Sequence, residues 1–204
     1  MMLTKSFTRK VLIASGDSWT AGSIQQEKDS YPYWPEILAN KLNMKCINVG
    51  RGGKGNEFIY NHMIDTLCVT KKVGLVVCMW SQVDRGNEQH GIYNLMKSVR
   101  WYHAFQNHCE LHSIPYLQMQ AFHPTESIMK EFLDCPQIHL INDNKFIGWP
   151  MYEEIGGRTM WYELDKADPK QDKLRVSKED LHPNDIGHEY MAEILYDKYK
   201  EIYL

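Results

Sequence analysis

The sequence predicts an α/β protein, a three-layer α/β/α sandwich around a mainly parallel sheet of about five strands. In the first half of the chain, short apolar runs alternate with amphipathic stretches, which is the pattern of β–α units in a parallel sheet. The run at residues 75–79 is nearly all apolar, as expected for a strand that helices cover on both faces. The length of 204 residues suits one domain, so we expect residues 1–204 to fold around a single sheet.

Segments of strand length and segments of helix length follow one another along the chain. Four segments are predicted as strands: residues 11–14, 46–49, 75–79 and 115–120. Four segments are predicted as helices: residues 33–42, 57–70, 91–108 and 184–199. This order predicts flavodoxin-like winding, in which the ligand site lies at the carboxyl ends of the strands. Functional residues are therefore expected in the loops after the first three strands and in the segment before the last helix.

The segment from about residue 121 to residue 178 lacks a clear helix or strand periodicity. It is rich in Pro, Gly, Asn, Asp and aromatic residues, so we expect a loop-rich insertion in the domain. Its aromatic side chains could pack the loops onto the body of the protein, or they could cover a sugar ring or an acyl chain. The sequence alone leaves these two alternatives open.

Composition and charge exclude several classes of function. The formal net charge is −3 and the lysines and arginines are scattered, so we expect no nucleic-acid partner. The apolar run at residues 11–14 is far too short for a signal peptide or a membrane span, which predicts a cytoplasmic protein. The five cysteines are widely spaced and form no C-x-x-C pair, which is typical of reduced packing residues.

A serine follows the first predicted strand in a turn of small residues, Ser15-Gly16-Asp17-Ser18. Such a turn presents a hydroxyl at the edge of the sheet where a ligand binds. A nucleophilic serine also needs a base within hydrogen-bond distance and donors for the oxyanion that forms on attack. The alternative is that Ser18 is only a helix N-cap, a position that Ser and Asp favour. We expect Asp17 to order the turn by accepting backbone amides and not to act as a catalytic acid.

A histidine, His182, lies directly before the last predicted helix, with Glu179 and Asp180 just upstream of it. One of these carboxylates could hold one ring nitrogen of the histidine while the other nitrogen faces a serine. The alternative is an exposed loop histidine beside residues that cap the helix. Ser18 follows the first strand and His182 precedes the last helix, and these positions favour the catalytic interpretation of the pair.

These two segments are similar to sequence blocks of the SGNH, or GDSL-like, hydrolase family. That family carries a Gly-Asp-Ser block near the N-terminus, as at residues 16–18, and an Asp-x-x-His block near the C-terminus. The resemblance covers nearly the whole chain. It implies a serine hydrolase with Ser18 as nucleophile and His182 as base, which cleaves an ester-like acyl bond of a small molecule or a carbohydrate. It also implies that the reaction needs no cofactor and no metal ion.

The last block differs from the family pattern in the position of its carboxylate. The family has an aspartate three residues before the histidine, whereas this chain has Glu179 there and Asp180 one residue later. Strict spacing favours Glu179 as the residue that orients His182, and residue type favours Asp180. We favour Asp180 and keep Glu179 as the alternative.

The resemblance also implies donors for the oxyanion. The family's second block is similar to residues 48–53, which implies that the backbone amides of Gly53 and of the nucleophile face the oxyanion. The third block, Gly-x-Asn-Asp in the family, is replaced here by the Trp-Ser-Gln-Val-Asp-Arg run at residues 80–85. Gln82 falls at the asparagine position and can donate the same bond from a longer side chain, with Ser81 as a rival donor.

Other interpretations of the sequence remain. The altered third block would also fit an SGNH fold that has lost catalysis and acts as a carbohydrate-binding or structural module. Residues 50–55 match the G-x-G-x-x-G fingerprint of dinucleotide binding, but they follow the second strand and leave the serine and the histidine unexplained. His103, His108 and His112 lie near a predicted helix end and could form a zinc site, but their spacing is incomplete for a set of metal ligands. The sequence does not predict an oligomeric state.

Overall fold

Five parallel strands form one sheet in the computed structural model of this protein, which describes residues 9–21, 31–83, 85, 91–124 and 126–204. The strands are β1 Val11–Ser15, β2 Lys45–Asn48, β3 Val73–Trp80, β4 Tyr116–Gln120 and β5 Phe146–Ile147. Their order in the sheet is β2-β1-β3-β4-β5, and every neighbouring pair is parallel. This is the flavodoxin-like order, which confirms the predicted winding.

Helices connect the strands and cover both faces of the sheet. The α-helices are α1 Ser18–Ala21, α2 Trp34–Lys41, α3 Asn56–Val69, α4 Gly91–Leu111, α5 Met129–Leu133, α6 Met160–Ala167 and α7 Asp185–Tyr203. Short 3-10 helices cover Glu126–Ile128, Pro136–Leu140 and Glu153–Ile155. The four helices predicted from periodicity correspond to α2, α3, α4 and α7.

The residues of each central strand alternate between two apolar cores. Ile13 of β1 faces the core that α3 and α4 form, whereas Leu12 and Ala14 face the core that α2, α6 and α7 form. In β3, all residues from Leu75 to Trp80 are fully buried, because helices cover both faces of the sheet. One sheet between two helical layers confirms the predicted three-layer α/β/α sandwich.

The segment at residues 121–178 supplies several short elements. Strand β5 comes from this segment and pairs with β4 at the edge of the sheet. Helix α6 begins after Thr159, whose hydroxyl caps it by accepting the backbone amide of Tyr162. This helix buries Met160 and Leu164, which stand one helical turn apart, against the sheet. The segment therefore adds an edge strand and a covering helix to the fold.

The last helix, α7, packs in the same core as α2 and α6. Near its end, the Tyr203 hydroxyl accepts the backbone amide of Tyr116 and donates to the carbonyl oxygen of the same residue, each at 3.0 Å. These two bonds fasten the end of α7 to the first residue of β4. In the part of the chain that the structure describes, no helix has the length and apolar character needed to cross a bilayer.

Candidate active site

Asp17 holds together the turn after β1, and its side chain is fully buried. Its Oδ1 accepts the backbone amide of Trp19 at 3.0 Å, and its Oδ2 accepts the hydroxyl of Ser81 at 2.7 Å. Burial raises the pKa of the Asp17 carboxyl, although these hydrogen bonds and the nearby Arg85 act in the opposite direction. Asp17 thus orders the turn that presents Ser18, the first residue of α1.

The loops after β1 and β2 pack against each other through Thr20. A Cβ atom on Gly16 would lie 2.0 Å from the Thr20 hydroxyl oxygen, and one on Gly50 would lie 2.8 Å from its Cγ2. Asn48, at the end of β2, donates to the carbonyl oxygen of Thr20 at 2.7 Å and accepts the amide of Gly50 at 3.0 Å. These contacts fix α1, and with it Ser18, relative to β2.

Ser18 and His182 meet at the carboxyl edge of the sheet although 164 positions separate them. The Oγ atom of Ser18 lies 2.9 Å from Nε2 of His182. The other ring nitrogen, Nδ1, lies 2.5 Å from Oδ1 of Asp180, and the same oxygen accepts the backbone amide of His182 at 3.1 Å. When Nδ1–H donates to Asp180, Nε2 is left to accept the Ser18 hydroxyl, which is the tautomer that a general base needs.

The loop before α7 is a tight turn that decides which carboxylate reaches the ring. The Val176 amide donates to the carbonyl oxygen of His182 at 2.9 Å, and the Ser177 amide donates to that of Asp180 at 3.0 Å. The Ser177 hydroxyl accepts the Asp180 amide and donates to the Glu179 carboxylate, each at 3.0 Å. The turn thus binds Glu179 to Ser177 and brings Asp180 to His182, which favours Asp180 as the residue that orients the ring.

The His182 and Asp180 side chains are partly open to solvent, with exposed fractions of 32% and 38%. Burial acts to raise the pKa of Asp180, but hydrogen bonds from the side chain and backbone of His182 outweigh it, so this pKa lies below its usual value. Asp180 is thus ionised near neutral pH. The opening to solvent lets a ligand reach the site.

Three of the four candidate oxyanion donors, Gly53, Gln82 and Ser81, differ in their surroundings. Gly53 has a φ of +75°, which favours glycine, and a Cβ atom there would meet nothing within 4 Å. Gln82 is exposed, whereas Ser81 is fully buried and its hydroxyl donates to Asp17. A hydroxyl has one proton to donate, and that of Ser81 is engaged with Asp17, so this arrangement favours Gln82 over Ser81 as the side-chain donor.

Comparisons with known proteins identify the fold. No protein-family model and no curated protein matches the sequence. A protein assigned to the lipolytic G-D-S-L family from Desulfitobacterium hafniense has 18% identity and a TM-score of 0.59, over 93% of this chain and 99% of its own. The acetyl xylan esterase AlAXEase has 17% identity and a TM-score of 0.56, over 95% and 100%. The esterase EstA from Pseudoalteromonas sp. has 16% identity and a TM-score of 0.59, over 94% and 97%.

This chain has the SGNH hydrolase fold. The likeness extends over nearly the whole of both chains in each comparison. At these identities it establishes the fold, and it confirms the fold class and the resemblance predicted from the sequence.

Asn56, the first residue of α3, supports the site in this SGNH fold and was not among the predicted site residues. Its Oδ1 accepts the Ser81 amide at 2.8 Å, and its Nδ2 donates to Ser98 at 3.0 Å and to Tyr102 at 3.2 Å. Gln120 donates to the Ser81 carbonyl oxygen at 2.6 Å. The network holds the start of the loop after β3. A buried asparagine at a helix start has no local signal that would reveal this role.

Aromatic side chains of the segment at residues 121–178 pack beside α1. The ring of Trp161 stacks on Trp19 with centroids 5.3 Å apart, and Phe122 lies 4.8 Å from Trp19. Trp19 is only 2% exposed as a result. For Phe122 and Trp161, these contacts favour packing over an open platform for a sugar ring.

A cavity of about 570 Å³ lies between α3 and α4. Its lining includes Lys54, the residue after Gly53, and Arg85, whose guanidinium lies 3.6 Å from Asp17 in the turn that presents Ser18. Ligand pockets in proteins have volumes of roughly 300–1,000 Å³. Neither Ser18 nor His182 lines the cavity, so it lies beside the pair and not over it.

The other sequence alternatives find no support in this arrangement. Gly50, within the dinucleotide-like fingerprint, is packed against Thr20 of α1. The rings of His108 and His112 lie 4.7 Å apart on α4. Within the described ranges, no three side chains of His, Cys, Asp or Glu are grouped so that they could hold a metal ion.

Proposed function

We propose that this protein is a serine hydrolase that cleaves an ester-like acyl bond, with Ser18 as nucleophile, His182 as general base and Asp180 orienting the ring. The 2.9 Å distance between Ser18 Oγ and His182 Nε2, with Asp180 on the opposite ring nitrogen, carries the proposal. A serine hydroxyl is a weak nucleophile until a base removes its proton, and this chain of hydrogen bonds supplies such a base.

Acylation begins when Ser18 Oγ attacks the ester carbonyl carbon and its proton passes to His182 Nε2. The imidazolium that forms is stabilised by the Asp180 carboxylate on Nδ1. The carbonyl oxygen becomes an oxyanion, which the backbone amides of Ser18 and Gly53 and the side-chain amide of Gln82 are proposed to bind. The intermediate collapses when His182 donates its proton to the leaving alcohol, and the acyl group stays on Ser18.

Deacylation repeats these steps with water as the nucleophile. His182 removes a proton from water, the hydroxide attacks the acyl carbon, and the proton returns to Ser18 Oγ as the carboxylic acid leaves. The same amides bind the second oxyanion. Every proton is therefore moved by residues of this chain.

The substrate is proposed to be an acyl ester of a small molecule or a carbohydrate. The cavity between α3 and α4 is lined by amide, hydroxyl and charged side chains together with Phe58, Tyr93 and Trp101. Such a mixed lining suits a polar ring better than a long alkyl chain. The shared fold with a protein named as an acetyl xylan esterase supports an acetylated carbohydrate as one candidate.

Replacement of Ser18 tests the proposed reaction. We expect the wild-type protein to hydrolyse p-nitrophenyl acetate and Ser18→Ala to have no activity above background, because the variant lacks the attacking oxygen. Thermal unfolding should be cooperative in both proteins. The matched control is Ser127→Ala, which removes the hydroxyl of an exposed serine far along the chain and should leave turnover unchanged.

Labelling provides a second, independent measurement. An activated fluorophosphonate should form a covalent adduct with Ser18 alone, located by mass spectrometry of peptides. Wild-type protein that shows neither turnover nor an adduct would contradict the proposal and would instead favour a catalytically inactive binding or structural module.

A further inference from the structure

Arg175 is a buried cation that stands where the loop before α7 begins. Its side chain is 1% exposed, and its Nη2 lies 2.9 Å from Oδ1 of Asp165 in α6. The guanidinium carbon lies 4.7 Å from the ring centroid of Trp19 and 4.8 Å from that of Trp161. Buried arginines are rare unless they are paired, so the molecule maintains these contacts at a cost in desolvation.

One set of these contacts joins Arg175 to the residues on either side of His182. The Nη1 atom of Arg175 donates to the carbonyl oxygen of Leu181 at 2.9 Å, and Leu181 directly precedes His182. The backbone of Arg175 also forms a bridge with Pro183, the residue after His182. The histidine therefore lies between two residues that Arg175 holds.

The other set joins Arg175 to Trp19, the residue after Ser18. Trp19 directly follows Ser18 in α1, and its buried ring packs against the Arg175 guanidinium. Trp161 covers the same cation, and its indole nitrogen donates to Oδ2 of Asp165 at 2.7 Å. A displacement of Trp19 relative to Arg175 would have to disturb this whole group.

We propose that Arg175 is a positioning residue that holds the Ser18 helix and the His182 loop at their catalytic separation. This inference rests on the proposed function. Arg175 touches neither reacting group, and it acts through Trp19 on one side and Leu181 on the other. The two segments are far apart in sequence, so their relative position depends on such contacts and not on the covalent chain.

An arginine suits this position for reasons of shape. Its planar guanidinium donates in two directions within one plane and stacks on aromatic faces, whereas a lysine ammonium is a compact point charge. A lysine would keep the charge at this site but could not keep both hydrogen bonds and both ring contacts. A misplacement of about 1 Å can slow an enzyme on the order of 100-fold, so a small shift of Ser18 from His182 should be measurable.

Arg175→Lys tests the inference against a matched control, Arg158→Lys. Arg158 also pairs with a carboxylate of α6, that of Glu163 at 2.7 Å, but its side chain is 50% exposed. Titration with the fluorophosphonate first counts competent active sites, so that rates are compared per site. We expect Arg175→Lys to lower kcat and the labelling rate constant in parallel by about 10- to 100-fold, with KM within about twofold of wild type.

The possible outcomes distinguish a positioning role of Arg175 from a role in stability alone. A residue that matters only for stability would reduce the number of titrated sites and the melting temperature, but not the rate per site. Rates per site in Arg175→Lys that equal those of Arg158→Lys would therefore overturn the inference. Wild-type protein without turnover and labelling would instead contradict the proposed function and, with it, this inference.

A second variant covers the case in which Arg175→Lys does not fold. Asp165→Asn keeps an oxygen acceptor for Arg175 but removes the charge that holds the guanidinium, and the Asp165 side chain is 32% exposed. We expect the same pattern of lower kcat and slower labelling per site, with a smaller amplitude than for Arg175→Lys. A rate per site equal to wild type in Asp165→Asn would overturn the inference.

Discussion

His182 lies between the Ser18 hydroxyl on Nε2 and the Asp180 carboxylate on Nδ1. Replacement of Asp180 by asparagine preserves the size of the side chain but removes the charge and favours the wrong tautomer of the ring. We expect Asp180→Asn to lower kcat about 10⁴-fold with little change in KM, as for the equivalent change in a Ser-His-Asp triad. Steady-state kinetics with p-nitrophenyl acetate measure both parameters.

Glu179→Gln is the control for this prediction. The Glu179 carboxylate is bound by the Ser177 hydroxyl and not by the ring, so we expect kcat within about twofold of wild type, as for an ordinary surface substitution. Small and equal losses in the Asp180 and Glu179 variants would argue against a triad.

Gln82 is the proposed side-chain donor to the oxyanion. If its amide binds the oxyanion, Gln82→Ala removes one donor and should lower kcat about 10²- to 10³-fold while KM changes little, because the bond strengthens in the transition state. The measurement is again kcat and KM for a short ester. A loss of less than about threefold would mean that the backbone amides of Ser18 and Gly53 suffice.

For single residues, the sequence predicted which side chains belong to the candidate site better than it predicted the contacts that they make. It predicted a serine and a histidine at the same edge of the sheet, and the structure has them 2.9 Å apart, while their catalytic roles stay a prediction. It favoured Asp180 over Glu179 by residue type alone, because the hydrogen bonds of Ser177 that bring Asp180 to the ring are encoded by no sequence pattern. The sequence likewise does not distinguish a buried arginine such as Arg175 from an arginine on the surface.

At the scale of elements, the contact between the loops after β1 and β2 makes a prediction about packing. A Cβ atom at Gly50 would lie 2.8 Å from Cγ2 and 2.9 Å from Cβ of Thr20. Because Thr20 lies in α1 close to Ser18, Gly50→Ala should displace that helix and lower the free energy of unfolding by about 1–3 kcal/mol. Urea unfolding measures the free energy, and fluorophosphonate labelling should slow in the same variant.

Gly53→Ala serves as a comparison for stability alone. A Cβ atom there would meet no atom within 4 Å, but the φ of +75° strains any side chain, so a cost of about 1 kcal/mol is expected without a clash. If Gly50→Ala cost no more than Gly53→Ala, the contact with Thr20 would not be the reason for glycine at position 50.

The elements themselves were predictable to different degrees. Long periodic segments gave four helices and four strands at close to their observed positions. Strand β5, Phe146–Ile147, was missed because two residues cannot show a period, and its place depends on pairing with β4. Helix α6 was missed because only Met160 and Leu164 mark its buried face, although Thr159 is an ordinary capping signal.

At the scale of the whole molecule, stability should depend on pH through His188 in α7. Its side chain is 2% exposed, and Nδ1 accepts the Trp34 amide at 3.4 Å. Burial lowers the pKa of His188 to about 3, and His182 acts in the same direction. In the unfolded chain the pKa returns to about 6.5, so between these values the unfolded state binds a proton that the folded state does not.

The free energy of unfolding should therefore fall as the pH falls from about 6.5 toward 3, by up to about 1.4 kcal/mol per pH unit from this group. His188→Asn keeps an acceptor for the Trp34 amide and removes the titrating ring. Urea unfolding at pH 7 and pH 5 should show a smaller difference in the variant than in wild type. Equal differences would show that His188 does not cause the dependence.

The 164 positions between Ser18 and His182 have a consequence for biosynthesis. On a ribosome, Ser18 emerges before His182, so the strands up to β5 can assemble before this histidine is available. If the proposed reaction is correct, a nascent chain of this kind is inert toward esters until the final loop and helix dock. The onset of hydrolysis would then report, in a cell-free translation reaction, the moment at which the native topology is completed.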